Sequence, residues 1–142
     1  MEIPTGPGKT SLAKGEIIEA LVLPKPEARA GDAYLRFIPR TEMDIAVVGV
    51  GVNLTLDEGG IVTAARVALG AVGPKVILVD AAAKTLIGSK LEDTAIEALA
   101  EACSAASTPI DDKRGTVAFR KQVVGVLARR AAQTAYTRAG GK

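Results

Sequence analysis

Hydrophobic and small or polar positions alternate most regularly between residues 48 and 56. Large aliphatic residues occupy every second position, namely Val48, Val50, Val52, Leu54 and Leu56. The positions between them hold Gly49, Gly51, Asn53 and Thr55. A period of two carried by β-branched side chains predicts a strand with one buried face. The simpler interpretation of the two glycines is a tight packing neighbour. The functional interpretation is that a flat ligand approaches there and that the charged turn at residues 40–44 faces it.

Three other stretches also predict strands: residues 16–23 (EIIEALVL), 34–38 (YLRFI) and 61–69 (IVTAARVAL). Pro24 and Pro39 end the first two, because proline cannot donate a hydrogen bond to a neighbouring strand. Residues 57–60 (DEGG) have the composition of a hairpin turn. These short connections favour an antiparallel meander.

Helical periodicity replaces the alternation after residue 74. It predicts helices over about residues 79–87, 92–106 and 116–139. Gly88 is expected to end the first helix in a left-handed conformation, and Ser89 with Glu92 fits a capping box for the second. The residues expected to face the sheet are Ile96, Leu99, Cys103 and Ala106 in the second helix, and Phe119, Val123, Val126, Leu127 and Ala131 in the third.

The order of these elements determines the expected fold class. Strands followed by helices along one chain predict an α+β sandwich. We expect one domain over residues 1–142, with an antiparallel sheet of three to four strands (about residues 16–69) covered on one face by three helices (about residues 79–139). The other face of the sheet is left to solvent or to another domain.

Composition excludes several classes of function. The chain has 142 residues, no histidine and a formal net charge of +2. The lack of histidine excludes histidine metal sites and Ser-His-Asp or Cys-His catalysis. One cysteine, Cys103, predicts a reducing, cytoplasmic location, and its place in a helical stripe predicts a buried apolar role. No apolar run reaches the roughly 18 residues of a membrane-spanning helix, and no secretory signal is visible.

Two charged motifs are ambiguous at this stage. Gly8-Lys9-Thr10 resembles part of a phosphate-binding loop, but the full pattern needs a glycine where Ile3 stands. The alternatives are a solvated turn, or a Lys9 side chain directed at an anionic or electron-rich ligand. The last predicted helix is basic but has no interleaved aromatic residues, which favours a solvated or partner-facing surface over nucleic-acid binding.

Several segments together resemble the C-terminal domain of the flavoprotein (medium) subunit of the molybdenum hydroxylases, the group that includes carbon monoxide dehydrogenase and xanthine dehydrogenase. The matching segments are TGPGKTSL (5–12), the entry to the strand at residues 15–17, MDIAVVGVGVNLTL (43–56), ARVALGAVGP (65–74) and PIDDKRGTVAFRKQVVGVLARRA (109–131). They occur in the order found in that family and cover nearly the whole chain.

The resemblance implies an oxidoreductase in which this chain acts as one part. In that family the subunit binds FAD, mainly through an N-terminal FAD-binding domain that this sequence does not contain. Electrons come from a molybdenum cofactor in the large subunit, pass through iron–sulfur clusters in the small subunit and reach the flavin. The turn-rich start of the sequence likewise suggests the edge of a longer protein. We therefore expect no flavin, and no activity, in this chain alone.

The resemblance also implies which residues approach the flavin. Lys9 lies in the loop that places a basic residue near the ring, and Asp44 and Ile45 match the family's pair before the long strand. Arg40 and Glu42 belong to the same polar turn, and both have a weaker claim. Asp112, Arg114, Gly115 and Arg120 match a pattern interpreted as structural. Phe119 stands where the family has an aromatic residue.

Two other classes of function remain open from the sequence. One is a free-standing interaction module that uses its exposed sheet face, with a homodimer as the simplest form. The other is a nucleotide hydrolase that uses residues 8–10.

Overall fold

The computed structural model describes residues 3–41 and 43–141. A short hairpin of β1 (Pro4–Gly6) and β2 (Lys9–Thr10) comes first. The main sheet is antiparallel and consists, in spatial order, of β3 (Ala30–Phe37), β4 (Val48–Leu56), β5 (Val62–Gly70) and β6 (Ile77–Leu78). Three helices follow: α1 (Asp80–Leu86), α2 (Asp93–Ala106) and α3 (Val117–Arg138). The predicted α+β class is confirmed.

Strand β4 is the centre of the core, as its alternation predicts. Its five large side chains at positions 48, 50, 52, 54 and 56 are all between 0% and 3% exposed. Strands β3 and β5 pair with it along both edges. Because the two neighbours hold β4 in register, its aliphatic residues form one continuous wall toward the helices.

The helices form a layer over this wall. Helix α3 packs on β3 and β4, α1 packs on β5, and α2 packs between α1 and α3. Helix α3 lies close to the sheet because its inner face is made of small residues. Ala128, Ala131, Ala132 and Ala135 are fully buried. On β3, a Cβ built on Gly31 would lie 2.2 Å from the Ala135 carbonyl oxygen.

The predicted strand at residues 16–23 is wrong. These residues have no regular secondary structure and are exposed. Among the residues that the structure describes, the backbone at 17–26 makes no hydrogen bond with another backbone group. Strand formation requires a neighbouring strand, and β3 forms the edge of the sheet without pairing with this segment. Local strand propensity was therefore not sufficient to form a strand at residues 16–23.

Four smaller predictions need correction. The second strand begins at Ala30 rather than at residue 34, and β6 was not predicted. Glu92, not Ser89, is the N-cap of α2, and no side-chain cap bond forms there. In α3, Phe119 and Val126 are 40% and 41% exposed rather than directed at the sheet. Arg120 and Val124 are buried instead. Arg120 follows Phe119 by one position, and Val124 precedes Val126 by two.

Other local predictions are confirmed. Gly88 has φ +85° at the end of α1, in the left-handed region that favours glycine. The helix predicted over about residues 116–139 is α3, and Thr116 caps it by accepting a hydrogen bond from the Phe119 N–H. Cys103 is fully buried in α2, and burial raises the pKa of its thiol to about 11.

Substitution Gly31→Ala tests the close contact between β3 and α3. The added methyl group would overlap backbone atoms of Ala135 and Ala139, so the helix must move. We expect a loss of about 3 kcal/mol in the free energy of unfolding, measured by urea denaturation.

The matched control is Gly51→Ala, also on a strand of the sheet, where the nearest atom to the new methyl group is 3.8 Å away. We expect its unfolding free energy to stay within about 0.5 kcal/mol of the parent value. Equal losses in both variants would contradict the packing argument.

Labelling of the thiol tests the burial of Cys103. Because burial raises its pKa to about 11, the native thiol stays protonated at pH 8 and should react with a thiol reagent only when the chain unfolds. The control is the double variant Cys103→Ala, Ala105→Cys, which places a thiol at an exposed position of the same helix. Rapid labelling of the native parent protein would show that this core is not closed.

Candidate functional site

The turn before β4 is fixed by one carboxylate, that of Asp44. Its side chain is 5% exposed and accepts three hydrogen bonds. These come from Arg114 Nε at 2.9 Å, from the Ile45 N–H at 2.8 Å and from Arg40 Nε at 3.3 Å. Arg114 lies 70 positions along the chain, so this contact joins the start of β4 to the loop before α3.

These contacts favour the ionised form of Asp44. The hydrogen bond from Arg114 lowers the pKa of Asp44 below its usual value of 3.8. Partial burial opposes this, whereas the Ile45 N–H and Arg40 lower the pKa further. Asp44 is therefore a carboxylate at neutral pH, and its charge is already paired.

A second ion pair, between Arg120 and Asp112, fixes the loop that contains Arg114. Arg120, on the first turns of α3, is 3% exposed. Its Nη2 donates to Asp112 Oδ1 at 2.6 Å, and its Nη1 donates to the Val47 carbonyl oxygen at 2.9 Å. The Arg114 N–H and then the Arg120 guanidinium lower the pKa of Asp112. The interpretation of these residues as structural agrees with this geometry.

A cleft of about 590 Å³ opens beside these pairs, at the end of the sheet where β4 begins and β5 ends. We call it the Asp44-end cleft. Its walls come from four separate segments of the chain and are mostly apolar: Pro7, Ile45, Ala46, Ala71, Gly73, Pro74, Thr108, Pro109, Ile110, Asp112, Arg114 and Arg120. An apolar cleft of this size with a few charged groups is typical of small-molecule sites.

The predicted site residues differ in whether they line this cleft. Ile45 lines it and is 67% exposed. Asp44 does not line it, and its oxygen atoms are occupied by the contacts above. Arg40 does not line it either, and its side chain is 69% exposed. Lys9 is exposed on β2 and does not line the cleft, although Pro7, in the turn of the same hairpin, does. Glu42 lies outside the described residues.

The hairpin also bears on the phosphate-loop hypothesis. Gly8 occupies the turn and Lys9 and Thr10 form β2, which pairs with β1. A phosphate-binding loop connects a buried strand to the N-terminus of a helix. Both strands of this hairpin are largely exposed, and no helix follows it directly. The nucleotide-hydrolase interpretation is therefore not supported.

The uncovered face of the sheet carries a shallower cavity of about 400 Å³. The ring of Tyr34 crosses β4 here, and a Cβ built on Gly49 would lie 2.7 Å from its hydroxyl oxygen. The predicted close approach to the strand glycines is therefore made by a side chain of the same chain. Tyr34 is 65% exposed, so its outer face is available for contact with another ring or chain.

Sequence reasoning missed two features of this region. The Arg114–Asp44 pair could not be inferred, because nothing in the local pattern connects positions so far apart. Arg36 is exposed on the uncovered face opposite Gly49, at the Asp44 end of the sheet. The alternation through Tyr34 could have placed it on that face.

Two absences are relevant to the candidate chemistry. In the described parts of the chain, histidine, cysteine and acidic residues form no group of three or more that could hold a metal ion. Over residues 3–41 and 43–141, no helix has both the length and the apolar character needed to cross a membrane.

Comparisons with known proteins identify relatives across nearly the whole chain. The xanthine dehydrogenase FAD-binding subunit of Escherichia coli O157:H7 is 30% identical over 97% of this chain. The carbon monoxide dehydrogenase medium chain of Afipia carboxidovorans is 32% identical over 92% of it. The matches cover 47% and 44% of those proteins, so the chain spans about half the length of the relatives it matches.

Solved structures agree with these sequence relatives. The reconstituted CO dehydrogenase from Oligotropha carboxidovorans superposes with a TM-score of 0.90 at 28% identity, covering 96% of this chain and 47% of that one. Quinoline 2-oxidoreductase from Pseudomonas putida 86 gives a TM-score of 0.85 at 26% identity, covering 97% and 47%. A family model described as the CO dehydrogenase flavoprotein C-terminal domain matches residues 33–135. The chain therefore belongs to the family of CO dehydrogenase flavoprotein C-terminal domains.

Proposed function

We propose that this chain is the C-terminal part of the flavin subunit of a molybdenum-containing hydroxylase or dehydrogenase, where it encloses FAD together with an N-terminal FAD-binding domain. The complex would also contain an iron–sulfur small subunit and a molybdenum large subunit. FAD, when bound, would take electrons from the iron–sulfur clusters and pass them to an external acceptor. The names of the relatives support this assignment, since they include FAD-binding subunits and medium chains of such enzymes.

One observation carries the assignment of the site. The turn of the N-terminal hairpin and the Asp44–Ile45 segment meet at one cleft, although about 40 positions of sequence separate Pro7 from Ile45. Both belong to segments that resemble the family, and the sequence interpretation requires them to share a surface. We take the Asp44-end cleft as that surface, because Pro7 and Ile45 both line it, although Lys9 and Asp44 do not.

The residues at this cleft suit the ring of a flavin better than its phosphates. The lining is mostly apolar, which matches a flat heterocycle. Two exposed cations belong to segments next to the cleft: Lys9 follows the hairpin turn that contains Pro7, and Arg40 binds Asp44, the neighbour of Ile45. Positive charge there would stabilise an anionic reduced ring or attract an acidic acceptor. The pyrophosphate would be held by the N-terminal FAD-binding domain.

The residues of this chain would have distinct roles. Ile45, which is exposed in the cleft, would contact the ring. Asp44 would act as a positioning residue, because its oxygen atoms already bind Arg114, Arg40 and the Ile45 N–H. Arg114 and Arg120 would hold the loop and strand in register around it. A cytoplasmic location is part of the proposal and is supported by the single, unpaired cysteine.

Flavin binding tests the proposed function directly. The chain alone should purify without flavin absorbance. We expect the same chain, fused in frame behind the flavin-binding half of the Escherichia coli relative, to purify yellow with close to one flavin per chain. Flavin in the chain alone, or a folded but colourless fusion, would contradict the proposal.

Substitution Asp44→Asn tests the positioning role. The amide cannot pair with the Arg114 guanidinium as a charge, so Ile45 should be held less firmly. In the flavin-bound fusion we expect the dissociation constant for FAD to rise by about tenfold at pH 7. Equilibrium titration of the apoprotein followed by flavin fluorescence would measure this.

The matched control is Asp57→Asn at the opposite end of β4. Asp57 also accepts a backbone hydrogen bond at 2.8 Å, from the Ile61 N–H, but it lies far along the strand from the cleft. Its substitution should leave FAD affinity unchanged. Equal weakening by both substitutions would indicate a general effect on the fold.

The pH dependence should follow the same contact. The pKa of Asp44 is lower in the folded chain than its usual 3.8, so the contact stabilises the fold above that pH and is lost as pH falls through the folded pKa. Thermal unfolding midpoints of the parent and Asp44→Asn proteins should therefore differ at pH 7 and converge as the pH falls below 3.8 and through the lower pKa of the folded chain. A constant difference across this range would exclude the charge as its cause.

A further inference from the structure

The segment at residues 17–23 exposes more apolar surface than any other short run in the described chain. Ile17, Leu21, Val22 and Leu23 are 82% to 91% exposed, and Ile18 is 52% exposed. Scattered exposed aliphatic residues are ordinary, but five within seven positions concentrate apolar surface in one short segment. Such a segment indicates a surface that another structural unit covers.

The backbone of this segment is also unpaired. Within the described residues, positions 17–26 make no backbone hydrogen bond to another backbone group. The sequence nevertheless predicts a strand there, with β-branched residues bounded by a glycine and a proline. If the segment is extended, Ile17, Leu21 and Leu23 point to one side together with Glu19, and Ile18 and Val22 point to the other. Apolar groups on both sides are typical of a strand that is buried on both faces.

The comparisons place this segment outside the C-terminal domain as the family defines it. The family model begins at residue 33, whereas the sequence relatives match over up to 97% of the chain. The superposition on the solved CO dehydrogenase covers 96% of this chain, which is far more than residues 33–135. The segment therefore lies outside the residues that the family model matches, in a chain whose relatives are about twice as long.

We propose that residues 16–23 dock as a strand on a sheet edge of the flavin-binding half of the subunit. This strand would join the two halves of the subunit, and it follows in sequence the hairpin whose turn lines the Asp44-end cleft. The occupant of this surface is a sheet edge, because only another strand satisfies the free N–H and carbonyl groups while burying both apolar sides. This inference rests on the proposed function, since the flavin-binding half supplies the partner.

Amide hydrogen exchange in two proteins tests the docking. One is this 142-residue chain, and the other is its in-frame fusion behind the flavin-binding half of the Escherichia coli relative. In the chain alone, residues 17–23 should exchange without protection at any concentration. In the fusion they should exchange more slowly by about a hundredfold or more.

Flavin absorbance of the same fusion separates this inference from the proposed function. A yellow fusion in which residues 17–23 remain unprotected overturns the docking and leaves the proposed function standing. A colourless fusion in which they are protected supports the docking and contradicts the proposed function. Protection that appears in the chain alone, and rises with its concentration, overturns the docking because a second copy is then the partner.

Substitution Leu21→Asp and its control Leu78→Asp test the side chains. Leu21 is 82% exposed in the segment, and Leu78 is 69% exposed on the uncovered face of the sheet. Leu21→Asp should lower the protection of residues 17–23 in the fusion by about tenfold or more, while Leu78→Asp leaves it unchanged. Neither substitution should alter the thermal unfolding of the chain alone. Unchanged protection in the Leu21→Asp fusion would overturn the proposal.

Discussion

The buried guanidinium of Arg120 is the interaction on which the arrangement of the site depends. It lies at the start of α3, is 3% exposed, and binds both the Val47 carbonyl oxygen and the Asp112 carboxylate. A charge this deeply placed is stable only when its donors are satisfied, and removing one partner leaves an uncompensated charge. The helix, the loop before it and the start of β4 are therefore fixed relative to one another.

Arg114 extends this arrangement toward the surface. Its backbone N–H binds the carboxylate that pairs with Arg120, and its side chain binds Asp44. The two ion pairs thus share one loop, and Ile45 is tied to one of them through its backbone N–H, which donates to Asp44. In the proposed function, this arrangement would hold Ile45 ready to contact a separately held cofactor without using it in the core.

Close packing of α3 on the sheet makes these contacts geometrically possible. The helix presents alanines where larger residues would hold it away, and β3 presents Gly31 beneath the Ala135 carbonyl. The short distance between helix and sheet brings Arg120 within reach of the β4 backbone. The outer positions of the helix are not used in this core. One of them, Phe119, makes an edge-on ring contact with Phe37, with the ring centroids 6.1 Å apart.

The sequence by itself determined the class of fold, the central strand with its buried face, the three helices and the buried state of Cys103, because each follows from periodicity within one segment. It also indicated the turn at Asp44 as a candidate functional site. Only the tertiary structure decided that residues 16–23 have no strand partner among the described residues, that Arg120 rather than Phe119 faces the sheet, and that Asp44 pairs with Arg114. These outcomes depend on neighbours distant in sequence: a strand needs an adjacent strand, and an ion pair needs a partner that folding brings to it.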